Sequence, residues 1–163
     1  MPTIGCFCPI LTNIPKVDID ENGTFKYILI AISCPRHPNG SNPCITVVRG
    51  GRRYDYHSDM YTEMTNITRL KPYPKKSLGG GYIYFDPEHK IIHIYGTSIG
   101  FGPADHNLTA RILRKAYPEH IITTATPNEW WPDDKHDGKY APIHYPWELD
   151  KEGHFKRRYY GED

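Results

Sequence analysis

FKYILIAIS, residues 25–33, is the stretch on which the fold turns. From Tyr27 to Ile32 apolar residues occupy odd and even positions alike, so a strand here buries both of its faces. Such a strand lies inside a sheet that other layers cover, with Lys26 near its start. Just upstream, VDID (17–20) alternates, and Asn22-Gly23 within ENGT marks a turn. Downstream, PRHPNGSNP (35–43) is a loop by composition, and ITVVRG (45–50) is a second strand ending at Arg49 and Gly50.

The remainder alternates helix and strand signals. From Ser58, Tyr61, Met64 and Ile67 recur at spacing three with Leu70 beyond, which predicts a helix of about three turns. LKPYPKKSLGGG (70–81) reads as a long connection ending in three glycines. YIYFD (82–86) and KIIHIYG (90–96) read as a hairpin across DPEHK. TSIGFG (97–102) is a loop, and Pro103 sits where a helix's first turn tolerates it. Leu108, Ile112 and Ala116 mark that helix's buried stripe, Pro118 closes it, and HIITTAT (120–126) is a last strand. The expected class is α/β (α+β): a single domain with a mixed β-sheet flanked by two helices.

Composition bounds the function. The 163 residues suffice for one domain with a core and are few for two. A formal net charge of +1 argues against a protein built mainly to bind nucleic acid. Residues 1–126 carry 14 Lys/Arg against 10 Asp/Glu, whereas 127–163 carry 6 against 9, so the body suits anionic partners better than the tail. Cys6, Cys8, Cys34 and Cys44 form no C-x-x-C pair, which reads as reduced thiols in the cytosol. The longest apolar run, YILIAI, is far short of a membrane span, and MPTIGCFCPILT lacks a basic leader region. A cytoplasmic protein is expected. After Thr126 the character changes: Trp130, Trp131 and Trp147 stand among prolines and dense charge, an aromatic content foreign to a purely disordered tail. The expected organisation is an N-terminal segment (1–13), a domain (14–126) and an aromatic, charged extension (127–163).

Several residues are candidates for chemistry. YGTSIGFGPADH (95–106) runs strand, glycine-rich loop, helix, and directs backbone N–H groups toward one spot. It carries neither a Walker A sequence nor G-x-G-x-x-G, so a phosphate cradle and a plain connection both remain open. His57 precedes a helix that Ser58 or Asp55 is placed to cap. A helix start lowers an imidazole's pKa and favours the neutral form that a general base needs near pH 7; a solvent-facing histidine fits the same position. Lys26 and Arg49, taken by themselves, read as ordinary strand-end charges. No H-E-x-x-H occurs and Cys6 and Cys8 lie far from any histidine, so no metal site is expected. His57, His106 and Lys26 would also suit acid–base cleavage of RNA, but the near-neutral charge speaks against it.

VDIDENGTFKYILI (17–30), VVRGGRRYDYHSDMY (47–61), SLGGGYIY (77–84) and IHIYGTSIGFGPADH (92–106) resemble, in order and spacing, the motifs of the Janus family, which includes the small protein phosphohistidine phosphatases. The resemblance covers about residues 14–125. It implies a metal-independent, cofactor-free hydrolase acting on phosphohistidine, or on the related phospholysine, in proteins. It implies His57 as the catalytic histidine of Y-H-[SA]-D-x-Y and places Lys26 and Arg49 near the phosphate. Ser98 and Gly100 would hold phosphate oxygens, Ser58 would add its backbone N–H, and His106 would support the site. The partners implied are phosphohistidine-bearing proteins met by a monomer, without nucleic acid or membrane. Two positions depart from the family: Tyr82 stands where relatives usually have arginine, and Thr97 where they often have tyrosine. Arg52 or Arg53 is a possible substitute for the missing cation. A non-catalytic phosphohistidine reader, or an interaction protein acting through its tail, are the alternatives.

Overall fold

The computed structural model describes residues 8–35 and 45–125, together with the backbone of 147–149 and 155–157. Residues 36–43 of the expected loop, Cys6, Cys44, Trp130 and Trp131 lie outside the described residues.

Six strands form one mixed sheet in the order β1-β3-β2-β4-β5-β6. They are β1 (Val17–Asp18), β2 (Gly23–Ile32), β3 (Ile45–Gly50), β4 (Lys75–Asp86), β5 (Ile91–Tyr95) and β6 (Ile121–Thr124). The outer pairs β1–β3 and β5–β6 are parallel, and the inner pairs are antiparallel. β2 lies third, as its two-sided apolar pattern requires. Ile28, Leu29, Ile30 and Ile32 are fully buried, each worth about 1.5–3 kcal/mol relative to exposure.

One helix covers each face. Ile28, Ile30 and Ile32 pack with Met60 and Met64 of α2 (His57–Thr65), joined by Leu11 of the one-turn α1 (Pro9–Thr12) and by Ile14 just after it. Tyr27, Leu29 and Val48 pack with Ala110 and Leu113 of α3 (His106–Ala116). The molecule is therefore a single-domain α+β fold. Beyond it, β7 (Trp147–Leu149) and β8 (Phe155–Arg157) form a separate antiparallel pair.

Three details differ from the sequence reading. First, the three glycines lie inside β4 rather than in a connection: Gly80 and Gly81 pair with Ile28 and Tyr27. Second, α2 buries His57, Met60 and Met64 and ends at Asn66, with Leu70 in a separate 3-10 turn. The expected stripe was rotated by about a residue, because a buried histidine does not count as apolar. Third, α3 buries His106, Thr109, Ala110 and Leu113, leaving Leu108 and Ile112 at the edge and Ala116 exposed. Again polar side chains that are hydrogen-bonded in the core set the helix face.

Candidate active site

Both helices start against the glycine strand, on opposite sides. Consecutive residues of a strand face opposite ways, so Gly80 opens one face and Gly81 the other. A Cβ on Gly80 would stand 2.7 Å from His57 Cδ2 and 2.6 Å from the Tyr27 carbonyl oxygen. A Cβ on Gly81 would stand 2.7 Å from His106 Cε1 and 2.6 Å from the Tyr95 carbonyl oxygen. The glycines are there so that two imidazoles can lie directly on the backbone.

His57 is the first residue of α2 and only 6% exposed. Neither Ser58 nor Asp55 caps the helix. Tyr56 occupies the N-cap position, and its N–H donates to the Asp59 carboxylate (3.0 Å), one half of a capping box. The N–H of Ser58 lies in the first turn, ahead of the helix's own ladder. His57 Nε2 lies 3.0 Å from the Gly81 carbonyl oxygen. A carbonyl can only accept, so Nε2 bears the proton and the neutral ring keeps its basic lone pair on Nδ1.

Tyr82 meets the His57 ring edge-on, with centroids 5.7 Å apart, and the Lys26 ammonium lies 5.9 Å from the Tyr82 ring centroid. Lys26 and Tyr82 are register partners, and Tyr82 pairs in turn with Tyr95. Tyr82 is thus fully buried between Lys26 and His57. Tyr95 stacks on His93, whose burial lowers its pKa to about 3. This part of the sheet face is aromatic and uncharged beyond Lys26.

Arg49 pairs with Ile28, which pairs with Gly80. It therefore shares His57's face at two strand spacings, roughly 10 Å, from Gly80. Its guanidinium donates to the carbonyls of Val48 (2.9 Å) and Pro15 (2.7 Å), tying the chain before β1 to β3. Burial lowers its pKa. Arg52 and Arg53 lie on the exposed surface, where Arg53 pairs with Glu63 (2.9 Å) and Arg52 with Asp20 (3.8 Å).

The loop after β5 is stitched to the same strand. Gly80 N–H donates to the Gly102 carbonyl (3.0 Å), and Ala104 N–H to the Gly80 carbonyl (3.0 Å). Within the loop, Gly102 N–H donates to the Ser98 carbonyl (2.8 Å) and Phe101 N–H to Ser98 Oγ (3.1 Å). Ser98 is buried, and its own N–H donates to the Gly102 carbonyl (3.3 Å). Gly100 is at the exposed tip, where an added Cβ would meet nothing within 4 Å. Its N–H takes no partner among the described residues. The Phe101 ring rests on Tyr61 of α2 (centroids 5.9 Å), so loop and helix start are neighbours.

His106 belongs to the other face. Its Nε2 donates to the Gly96 carbonyl (2.8 Å), so its Nδ1 accepts from the Tyr27 hydroxyl (2.6 Å). Thr109 Oγ1 then donates to the Tyr27 oxygen (3.0 Å). Burial lowers the His106 pKa, so the ring is neutral at pH 7. Both nitrogens hold structure, and His106 reaches the loop only through Gly96. Sequence reasoning placed His106 at the phosphate side and missed Tyr27 and Thr109. A tyrosine inside an apolar run was the available signal, since a buried hydroxyl requires a partner.

A family profile described as the Janus/Ocnus family (Ocnus) matches residues 11–121. A Sus scrofa protein named 14 kDa phosphohistidine phosphatase is 37% identical over 127 residues, covering 76% of this chain and 94% of that protein. Its Homo sapiens namesake is 36% identical over 116 residues, covering 71% and 93%. Sex-regulated protein janus-A of Drosophila pseudoobscura pseudoobscura is 39% identical over 115 residues, covering 71% and 77%.

Proposed function

The chain belongs to the Janus/Ocnus family, and on that premise we propose that it is a phosphohistidine phosphatase in which His57 is the general base. One observation carries this reading: a buried imidazole with its Nε2–H on the Gly81 carbonyl, on the strand that also anchors the 98–102 loop. That bond fixes the tautomer and leaves Nδ1 as the basic atom. Two relatives bearing the phosphohistidine phosphatase name span most of their length in the alignment.

In the proposed reaction, Nδ1 of His57 accepts a proton from water as the water oxygen bonds to phosphorus. The P–N bond breaks, its electron pair goes to the departing imidazole nitrogen, that nitrogen takes the proton from His57 Nδ1 directly or through water, and inorganic phosphate leaves. The Ser98 hydroxyl, the Gly100 N–H and the first-turn N–H of Ser58 are the donors for the phosphoryl oxygens, and Lys26 adds charge. The P–N bond is weak, so positioning and charge stabilisation supply most of the acceleration, with base assistance adding on the order of 10²–10⁴. No three His, Cys, Asp or Glu side chains gather as a metal centre among the described residues.

Incubating the purified chain with a phosphohistidine peptide in the presence of a strong chelator tests the reading. Multiple turnovers of released phosphate are expected. Stoichiometric binding without turnover would make the protein a reader, and neither would leave an interaction protein. Rescue of a chelated sample by one metal would remove the metal-independent part of the proposal.

The two cations should separate experimentally. Lys26→Ala removes the charge proposed to face the phosphoryl group, so kcat/KM should fall roughly tenfold or more. Arg49→Ala also removes the tie to Pro15, and hydrogen bonds from a buried charged group are worth about 1.5–3 kcal/mol. Its melting temperature should therefore fall as well. Wild-type kinetics in Lys26→Ala would exclude that residue from the site.

A further inference from the structure

Four large apolar side chains are exposed among the described residues: Tyr56 (59%), Ile99 (74%), Phe101 (36%) and Ile121 (48%). Ile121 opens the edge strand β6. The other three neighbour candidate residues along the chain. Tyr56 immediately precedes His57, and Ile99 and Phe101 flank Gly100 at the tip of the loop that Gly80 anchors. Single exposed apolar residues need no explanation, but three immediately beside proposed catalytic and phosphate-holding residues in the chain do.

We propose that Tyr56, Ile99 and Phe101 form a docking rim for apolar side chains that flank the phosphorylated histidine of a protein substrate. The inference rests on the phosphatase reading and specifies its substrate class: a polypeptide segment with apolar neighbours beside the phosphohistidine, rather than a free phosphoramidate. The rim lies beside the phosphoryl-accepting groups along the chain, and successive residues of an extended peptide are about 3.3 Å apart. Residues one or two positions from the phosphohistidine therefore reach it. Phe101 is held against Tyr61, so little side-chain freedom is lost on docking. The loop from Tyr95 to Gly102 carries no charge, and the start of α2 carries Asp55 and Asp59. Those carboxylates disfavour acidic flanking residues and an anionic lipid surface, while an apolar or basic flank is accepted.

The test uses the full chain and the double variant Ile99→Ser with Phe101→Ser. Three substrates are compared: free phosphohistidine, a phosphohistidine peptide with leucine and phenylalanine on either side, and the same peptide with serines there. The wild type should favour the apolar-flanked peptide through KM. The variant should lose roughly tenfold or more in kcat/KM on that peptide alone, a size typical of anchor residues at interfaces, with kcat and free phosphohistidine turnover unchanged. Equal losses on all three substrates, or no loss, would overturn the proposal. So would loss of binding to phosphatidylserine vesicles with peptide kinetics intact, which would assign the rim to a membrane surface. Titration with a non-hydrolysable phosphonate analogue of the apolar-flanked peptide reads the rim without catalysis. If the wild type turns over nothing, the phosphatase reading fails, and a difference in analogue Kd between wild type and variant still decides whether the rim docks peptide.

Discussion

Replacing His57 by alanine is expected to abolish nearly all phosphohistidine turnover, a loss on the order of 10²–10⁴ in kcat where base assistance is removed. The imidazole is held by a hydrogen bond to the Gly81 carbonyl and by the edge-on Tyr82 ring, and its loss removes the proposed base. The mutation alone cannot separate two roles. As a base, His57 deprotonates water. As a nucleophile, it takes the phosphoryl group itself and is then hydrolysed, which exchanges one P–N bond for another of similar energy. The geometry sharpens the choice. With Nε2 on Gly81, any phosphoryl group would have to sit on Nδ1. Rapid quench with labelled substrate should therefore show no protein-bound phosphate formed and consumed at the turnover rate. An acid-labile, alkali-stable label at His57 Nδ1 with those kinetics would replace the base by a nucleophile.

Much of the fold was legible because the relevant forces are written as local patterns. The two-sided apolar run of β2 forces an interior position whatever the rest of the chain does. ITVVRG gives β3 from Ile45 to Gly50, and DPEHK gives the β4–β5 hairpin. What misled is equally physical. A run such as SLGGG has almost no side chain with which to announce a strand, and glycine lowers strand propensity. It pairs nonetheless, because β2 supplies the ladder and two histidines supply the packing that glycine lacks. The helix faces were misread for a related reason. His57, His106 and Thr109 are buried by hydrogen bonds formed across the sheet, with Gly81, Gly96 and Tyr27, and a hydropathy stripe does not register such partners.

The site divides along the same line. His57, Lys26 and Ser98 were nominated by residue type and position; His57 and Lys26 share one face around Gly80 and Tyr82, and the loop that carries Ser98 is bonded to Gly80 through its backbone. His106 has the same residue type and the same place at a helix start, yet it lies on the other side of the sheet. Only the parity of Gly80 and Gly81 distinguishes the two, since one residue along a strand reverses its face. The Tyr82 departure was visible as a missing charge. Its consequence, a phenol wedged between Lys26 and the imidazole, required the third dimension.

That parity leads to the second large effect, expected for Gly80→Ala. The new Cβ would lie 2.6 Å from the Tyr27 carbonyl oxygen and 2.7 Å from His57 Cδ2, both well inside van der Waals contact. The carbonyl belongs to β2 in mid-ladder, so moving it opens the β2–β4 pairing. The imidazole is the softer neighbour and should be displaced first, stretching its bond to Gly81. Overpacking of this kind costs about 1–3 kcal/mol, or roughly 3–10 °C of melting temperature for a chain of this size. A displacement near 1 Å in a catalytic group costs on the order of 10² in rate, so turnover should fall far more than the loss of folded protein explains. Gly100→Ala is the matched control. It adds the same methyl group where nothing lies within 4 Å and the backbone is outside the left-handed region, so its melting temperature should stay at the wild-type value. Equal melting and equal turnover in Gly80→Ala and wild type would mean that the imidazole does not rest on Gly80, and the tautomer assigned through Gly81 would fall with it.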